Sequence, residues 1–353
     1  MFEYTLSYLV WDPNRVAFFI PFTQYPIVWY GVLFAAGFLV TYFVLQEVFG
    51  VEILSKIRLS ESHVVSWDRL QKKMANYPHL FKQEKSDSDE NRPAILAQIE
   101  KYIKTKVLPS SFYNSKILSI SKISNMLVDQ MTAFIVFGII IGARLGYVFF
   151  YGWPIYKDNL LDIFKIWTGG LASHGACAGI LIALFLFVRK LSKTKFNFSY
   201  LYLMDFLAII SGFFAFFIRL GNFVNQEITG IPSQISWAVI FLNPFDGGAA
   251  VPRHPVQLYE AFFYLFVACT MYYLWKKNRM PIGHGLFAAS FLIPLFSFRF
   301  VIEFLKEPQG YVLPIFKGLL MGQYLSIPFV LIGVGLIARY YLKIKPQYTK
   351  SLH

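Results

Sequence analysis

Seven apolar runs limit what this chain can fold into. Residues 26–48, 131–151, 170–188, 199–218, 256–275, 284–304 and 319–341 are each close to the roughly 20 residues a helix needs to cross a bilayer core. Lipid offers no hydrogen bonds, so each run must satisfy its own backbone, and a helix does so within one segment. The expected fold is therefore an all-α integral membrane protein of about seven transmembrane helices, with six as the alternative count. Composition agrees: 15% of residues are charged, against roughly 25% in soluble domains, and 56% are hydrophobic. The third run is the least regular, because it opens in Gly169-Gly-Leu-Ala-Ser-His-Gly175.

The net charge of +13 raises the question of nucleic acid, but the placement of the basic residues answers it otherwise. They stand in short blocks between apolar runs, where they orient a membrane protein against anionic lipid. Arg189, Lys190, Lys193 and Lys195 follow the third run, Lys276, Lys277 and Arg279 the fifth, and Lys343, Lys345 and Lys350 the seventh. These regions are expected on the cytoplasmic side, with the C-terminus. An odd number of spans then puts the N-terminus outside, with loops 152–169, 219–255 and 305–318. No nucleic-acid partner is expected. The first 25 residues lack a basic start and a cleavage site, so the first run is expected both to target the chain and to stay in it. Cys177 and Cys269 have no metal spacing and are expected as buried thiols.

Three regions follow: 1–49 with the first span, a polar cytoplasmic insertion at 50–130, and a transmembrane catalytic core at 131–353. Within the insertion, Lys85-Ser-Asp-Ser-Asp-Glu-Asn-Arg92 is expected as a solvated loop, and 61–81 and 94–108 as short surface helices. Gly142-Ala-Arg144 and Gly212-Phe-Phe-Ala215 are expected as small-residue faces where helices approach closely.

Charged side chains in apolar spans are costly and need a reason. Arg144, Asp205, Arg219, Glu260, Arg299 and Glu303 are in that position. Arg144 and Asp205 are able to neutralise each other across helices. Arg299 and Glu303, four apart, share a helical face, so Glu303 is expected to brace the Arg299 guanidinium. The derived topology puts Tyr30, His174, Arg219, His254, Glu260, Arg299 and Glu303 near the outer ends of their spans. Arg219-Leu-Gly-Asn-Phe-Val-Asn-Gln-Glu-Ile-Thr-Gly-Ile-Pro232 adds Asn222, Asn225, Glu227 and Gly230 at the same level. Two arginines at that depth suit an anionic head with apolar tails, since arginine stays charged and grips phosphate with paired N–H groups. His174, in a glycine-rich setting, is a candidate general base.

These residues resemble one family, prolipoprotein diacylglyceryl transferase. The matching segments are Val28-Trp-Tyr-Gly31, Gly142-Ala-Arg-Leu-Gly-Tyr147, Gly169-Gly-Leu-Ala-Ser-His-Gly175, Arg219 to Glu227 with Gly230, His254-Pro-Val-Gln-Leu-Tyr-Glu260, Arg299-Phe-Val-Ile-Glu-Phe304 and Gly322-Gln-Tyr-Leu-Ser326. The resemblance implies a seven-span bacterial inner-membrane enzyme with its site open to the periplasm. It implies transfer of the diacylglyceryl group of phosphatidylglycerol to the lipobox cysteine of a preprolipoprotein signal peptide, with no metal or organic cofactor. By resemblance the catalytic residues are Tyr30, His174, Arg219, Asn222 and Arg299. Substrate-binding positions fall on Arg144, Asn225, Glu227, Gly230, His254, Gln257, Tyr259, Glu260 and Glu303. The chain departs from the family in reading Lys306-Glu-Pro-Gln309 where Arg-x-Pro-Asp is usual, so that outer arginine has no counterpart. It also lacks a proline often found before Arg219, and its insertion is long. The rival readings are a transporter of an anionic lipid, which would move substrate unchanged, and an assembly protein whose polar residues only tie helices together.

Overall fold

The computed structural model describes residues 8–59, 67–81, 120–166, 169–192, 198–245, 247–307 and 319–344. Between 82 and 119 it describes only 95, 98–99, 101–103, 105–109 and 112. Among the described residues, eight α-helices of eight residues or more carry the fold: α1 (Trp29–Leu59), α2 (Trp67–Met74), α3 (Ile120–Tyr147), α4 (Ser173–Leu191), α5 (Tyr200–Val224), α6 (Val256–Lys276), α7 (Leu286–Ile302) and α8 (Met321–Arg339). Among the described residues, six helical segments are long and apolar enough to cross a membrane, in α1, α3, α5, α6, α7 and α8. The expected third run is α4, a helix of 19 residues outside that set.

The chain divides into two compact units, one of residues 1–44 with 199–353 and one of residues 45–198. That division cuts through α1 and does not follow the expected borders at 49 and 130. Helix α3 also begins at Ile120, inside the expected insertion.

In the first unit, α5 packs on α6 and α7, and α7 packs on α8. Stacked aromatic pairs line these seams: Phe263 on Phe298 with ring centroids 4.0 Å apart, and Phe296 on Phe329 at 4.2 Å. Gly212 sits where a Cβ would lie 2.8 Å from the Ala268 Cβ, so the small-residue face at 212–215 is a helix contact as expected. Asp205 is fully buried and accepts hydrogen bonds from the N–H groups of Gly283 (2.7 Å), Gly285 (3.0 Å) and Ala288 (2.9 Å). It thereby closes the N-terminus of α7, where backbone donors have no partner in their own helix.

Short strands complete this unit. β1 (Leu9–Trp11) runs parallel to β4 (Val239–Phe241), which pairs antiparallel with β5 (Pro252–Arg253). β2 (Val16–Phe19) and β3 (Pro26–Val28) form a hairpin that runs directly into α1.

In the second unit, α3 and α4 meet backbone to backbone. A Cβ on Gly142 would collide with the Gly175 carbonyl, and one on Gly179 with the Gly138 carbonyl. Only glycine permits that approach. The insertion has a core of its own, in which Leu70, Ile99, Leu108 and Phe112 are buried and Tyr77, Phe81 and Tyr102 pack around them. Its expected first helix is α2, and residues 101–103 are helical within the expected second. The run Lys85–Arg92 lies outside the described residues. Cys177 and Cys269 are exposed on their helices, not buried as expected. A lipid-facing surface and a core are equally apolar, so sequence context could not separate them.

Candidate functional site

The site begins where α5 ends. Arg219, Asn222 and Glu227 follow one another around the last turn and the loop after it, and their spacing makes a local chain. The Arg219 Nη1 donates to the Asn222 Oδ1 at 3.0 Å, and the Asn222 Nδ2 donates to the Glu227 Oε1 at 2.8 Å. Asn225 reaches the same Glu227 oxygen at 3.5 Å, and Gln257 of α6 donates to the Glu227 carbonyl at 2.9 Å. Gln226 and Ile228 have φ of 56° and 57°, a left-handed kink that turns the chain sharply after the helix. Tyr30, in the first turn of α1, lies against Gly221, where a Cβ would be 2.7 Å from its ring.

A buried charge cluster stands beside this chain. Glu260 of α6 is fully buried, pairs with the Arg219 Nε at 3.0 Å, and accepts hydrogen bonds from the Lys306 Nζ (2.9 Å) and the Tyr264 hydroxyl (2.9 Å). Lys306 also approaches Glu303 at 3.2 Å. Burial pushes the Lys306 ammonium below the usual lysine range, while the carboxylates oppose that fall. Lys306 reaches Glu260 because the loop after Arg219 is laced to the end of α7. Ile231 donates to the Leu305 carbonyl at 2.9 Å, Glu307 to the Thr229 carbonyl at 3.0 Å, and Gly230 to the His254 carbonyl at 3.2 Å. Gly230 fills the crossing point, where a Cβ would collide with the His254 carbonyl and lie 2.9 Å from that of Leu305.

Two expected pairings are replaced by others. Glu303 does not brace Arg299; its Oε1 accepts from the Gly322 N–H at 3.1 Å, closing the N-terminus of α8, while Lys306 takes the other oxygen. A helix start offers unpaired donors, and these outcompete a neighbour one turn away. Arg299 is half-buried and makes no hydrogen bond or ion pair among the described residues, although its charge acts on Glu260, Tyr264 and Lys306.

Arg144 belongs to the second unit, and its donors go to backbone carbonyls of that unit. Its Nε donates to the Ile163 carbonyl at 2.8 Å, its Nη1 to those of Gly169 (2.5 Å) and Gly170 (3.3 Å), and its Nη2 to those of Asp162 (2.8 Å) and Lys165 (3.0 Å). Its guanidinium also lies over the Tyr156 ring at 5.0 Å. A guanidinium has five N–H donors. All five go to backbone carbonyls, so Arg144 clamps the loop that leads into α4. His174 is in the first turn of α4, and its side chain lies outside the described residues.

Two further expected positions, His254 and Tyr259, form a pair of their own. His254 Nδ1 and the Tyr259 hydroxyl are 3.3 Å apart, and that hydroxyl accepts from Trp237 at 2.7 Å. Sequence reasoning missed Lys306 and Tyr264 as members of the cluster. Lys306 was visible only as a departure from a motif, and Tyr264 could have been found one turn after Glu260. Among the described residues, no three of His, Cys, Asp and Glu converge as a metal site requires.

Comparison with known proteins meets this geometry. The family model described as prolipoprotein diacylglyceryl transferase matches residues 105–339, which include every member of the cluster. The phosphatidylglycerol–prolipoprotein diacylglyceryl transferase of Protochlamydia amoebophila is 40% identical over 96% of this chain and 96% of its own length. The protein of that name from Chlamydia trachomatis is 45% identical over 56% of this chain and 72% of its own, and that of Porphyromonas gingivalis 40% over 62% and 79%. A match spanning two thirds of the sequence, and a relative aligned almost end to end, agree with the seven quoted segments: the chain belongs to the prolipoprotein diacylglyceryl transferase family.

Proposed function

We propose that this protein transfers the diacylglyceryl group of phosphatidylglycerol to the thiol of the lipobox cysteine in a preprolipoprotein signal peptide. The product is a thioether, and glycerol phosphate leaves; this is the first step of bacterial lipoprotein maturation. The observation that carries the reading is the end-to-end relative bearing that activity in its name, 40% identical to this chain. The site is chemically suited to it. Arg299 has no partner among the described residues, Arg219 keeps N–H groups beyond those given to Glu260 and Asn222, and both are half or more buried. On another face of α7, an apolar crevice of about 290 Å³ is lined by Ser297, Phe300, Val301 and Ile327.

In the reaction, the cysteine sulfur attacks the glyceryl carbon that carries the phosphate ester. The carbon–oxygen bond breaks, and its electron pair leaves on the phosphate oxygen. Arg219 and Arg299 offset the charge that gathers there, which is stabilisation of the transition state. A thiol with pKa about 8.5 is only partly ionised near neutrality, and His174 is the base proposed to take its proton. Asn222 and Glu227 position the glyceryl portion, and Tyr30 orients the lipid head. In the membrane, α4 supplies the seventh span. The N-terminus and the site then face the periplasm from the inner membrane, with the C-terminus in the cytoplasm.

The test uses purified protein, phosphatidylglycerol and a lipobox peptide with a free cysteine, read by mass spectrometry of the peptide and by release of glycerol phosphate. A diacylglyceryl adduct with matching release, lost on Cys→Ser in the peptide, is the expected result. Folded protein that forms no adduct with phosphatidylglycerol would sink the reading. Wild-type turnover and pH profile in His174→Gln would remove the histidine from its role alone.

A further inference from the structure

We propose that the β2–β3 hairpin is a membrane-docking element, whose tip inserts into the interfacial layer of the bilayer that α1 crosses. Between Val16 and Gln46 the sequence contains no charged residue. Helix α1 starts only at Trp29, so the uncharged stretch covers the whole hairpin before it reaches the span. A span alone needs roughly 20 such residues.

The hairpin does not bury these residues in its own fold. Phe18 is 54% exposed, Phe19 60%, Tyr25 74%, and Phe22 completely so. An apolar patch held out in this way marks a contact surface. Phe22 has φ of 64°, an uncommon conformation for a bulky residue. A small turn holds it: the Thr23 N–H and hydroxyl both donate to the Ile20 carbonyl at 3.0 Å, and the Ile20 N–H donates to that of Tyr25 at 3.1 Å. The tip is therefore preformed with its ring outward.

The opposite end of the hairpin is polar and fixed. Arg15 donates to the Asn243 carbonyl at 2.5 Å, Asn14 accepts from the Val16 N–H at 2.9 Å, and the Trp29 N–H donates to the Arg15 carbonyl at 3.0 Å. The span joins the hairpin at this polar base, and the uncharged aromatic strands and tip continue from it, the mix of side chains found at a membrane–water boundary. Continuity with α1 selects lipid as the occupant, ahead of a second copy or the peptide substrate.

The experiment uses the full chain with Cys177→Ser and Cys269→Ser, carrying Phe22→Cys labelled with a polarity-sensitive fluorophore. The protein is reconstituted in vesicles of phosphatidylglycerol and phosphatidylethanolamine, with labelled Asn14→Cys as the reference. Lipids spin-labelled near the headgroup are expected to quench position 22 several-fold more strongly than position 14, with aqueous iodide giving the reverse order. Tyr25→Cys repeats the measurement with Phe22 in place. Equal iodide access at the tip and the base overturns the proposal. So does a tip signal that ignores the spin-labelled lipid but responds to added lipobox peptide or to protein density.

Discussion

Arg219 and Arg299 should fail in different ways when each is replaced by glutamine. Arg219 holds an ion pair with fully buried Glu260 at 3.0 Å and a hydrogen bond with Asn222 at 3.0 Å. Breaking a buried pair costs roughly 3–5 kcal/mol, because the partner charge is left behind. Lys306 still neutralises part of Glu260, so Arg219→Gln should fall near the lower end of that range. Arg299 gives up no hydrogen bond or ion pair among the described residues, and its removal relieves repulsion of Lys306 while forfeiting a longer-range attraction to Glu260. Arg299→Gln should therefore change stability by less than about 0.5 kcal/mol, as replacements away from packed or paired groups do.

Function should order them otherwise. A charge-assisted contact to phosphate is worth roughly 1.5–3 kcal/mol, or about 10–150-fold in kcat/KM. Arg299→Gln should lose at least that much turnover with phosphatidylglycerol, and also lose most of the thermal stabilisation that the lipid confers on the wild type. The assay pairs thermal unfolding in detergent, with and without phosphatidylglycerol, with peptide modification. An Arg299→Gln protein that unfolds as early as Arg219→Gln, yet keeps its lipid-induced shift, would refute this division of labour.

Glu260→Gln leaves Arg219 and Lys306 facing a neutral amide and should destabilise the protein by about 3–5 kcal/mol, read by thermal unfolding. Gly230→Ala pushes a methyl into the His254 and Leu305 carbonyls, backbone atoms that cannot swing aside, and should cost about 1–3 kcal/mol. Because the same crossing holds Lys306 under Glu260, its turnover should drop as well. Arg144→Met keeps an unbranched apolar stem but abandons five carbonyls, and should open the 160–170 loop, seen as faster tryptic cleavage at Lys165.

What the sequence made legible was local. Arg219, Asn222 and Glu227 lie within one helix end, so their spacing alone implied a shared site. The spans were equally readable, because length and hydropathy are summed along the chain. Partnerships between distant segments were not. Asp205 serves three N–H groups some eighty positions later, and Glu303 serves the start of α8, choices set by which helix ends come within reach. Lys306 looked like a lost arginine, yet it occupies the centre of the cluster because bridges between 229–231 and 305–307 carry it there. Cys177 and Cys269 were misplaced because a membrane helix has no polar face to mark its outside.

The charge balance of the cluster bears on how a product would leave. Arg219, Arg299 and Lys306 are matched by Glu227, Glu260 and Glu303, so the cluster is close to neutral in formal charge. Phosphatidylglycerol brings a phosphodiester with a single negative charge, whereas the released phosphomonoester carries nearly two near neutrality. In a neutral cluster the second charge gains little, so the product is not held more tightly than the substrate. Glu227→Gln keeps the oxygen that accepts from Asn222 but adds one positive charge to the balance. It should favour the doubly charged ligand about twice as much, in energy, as the singly charged one. Inhibition by added glycerol phosphate should then tighten by more than KM for phosphatidylglycerol falls. Equal changes in the two constants, or no change in either, would mean that the carboxylates do not set the charge the ligand meets.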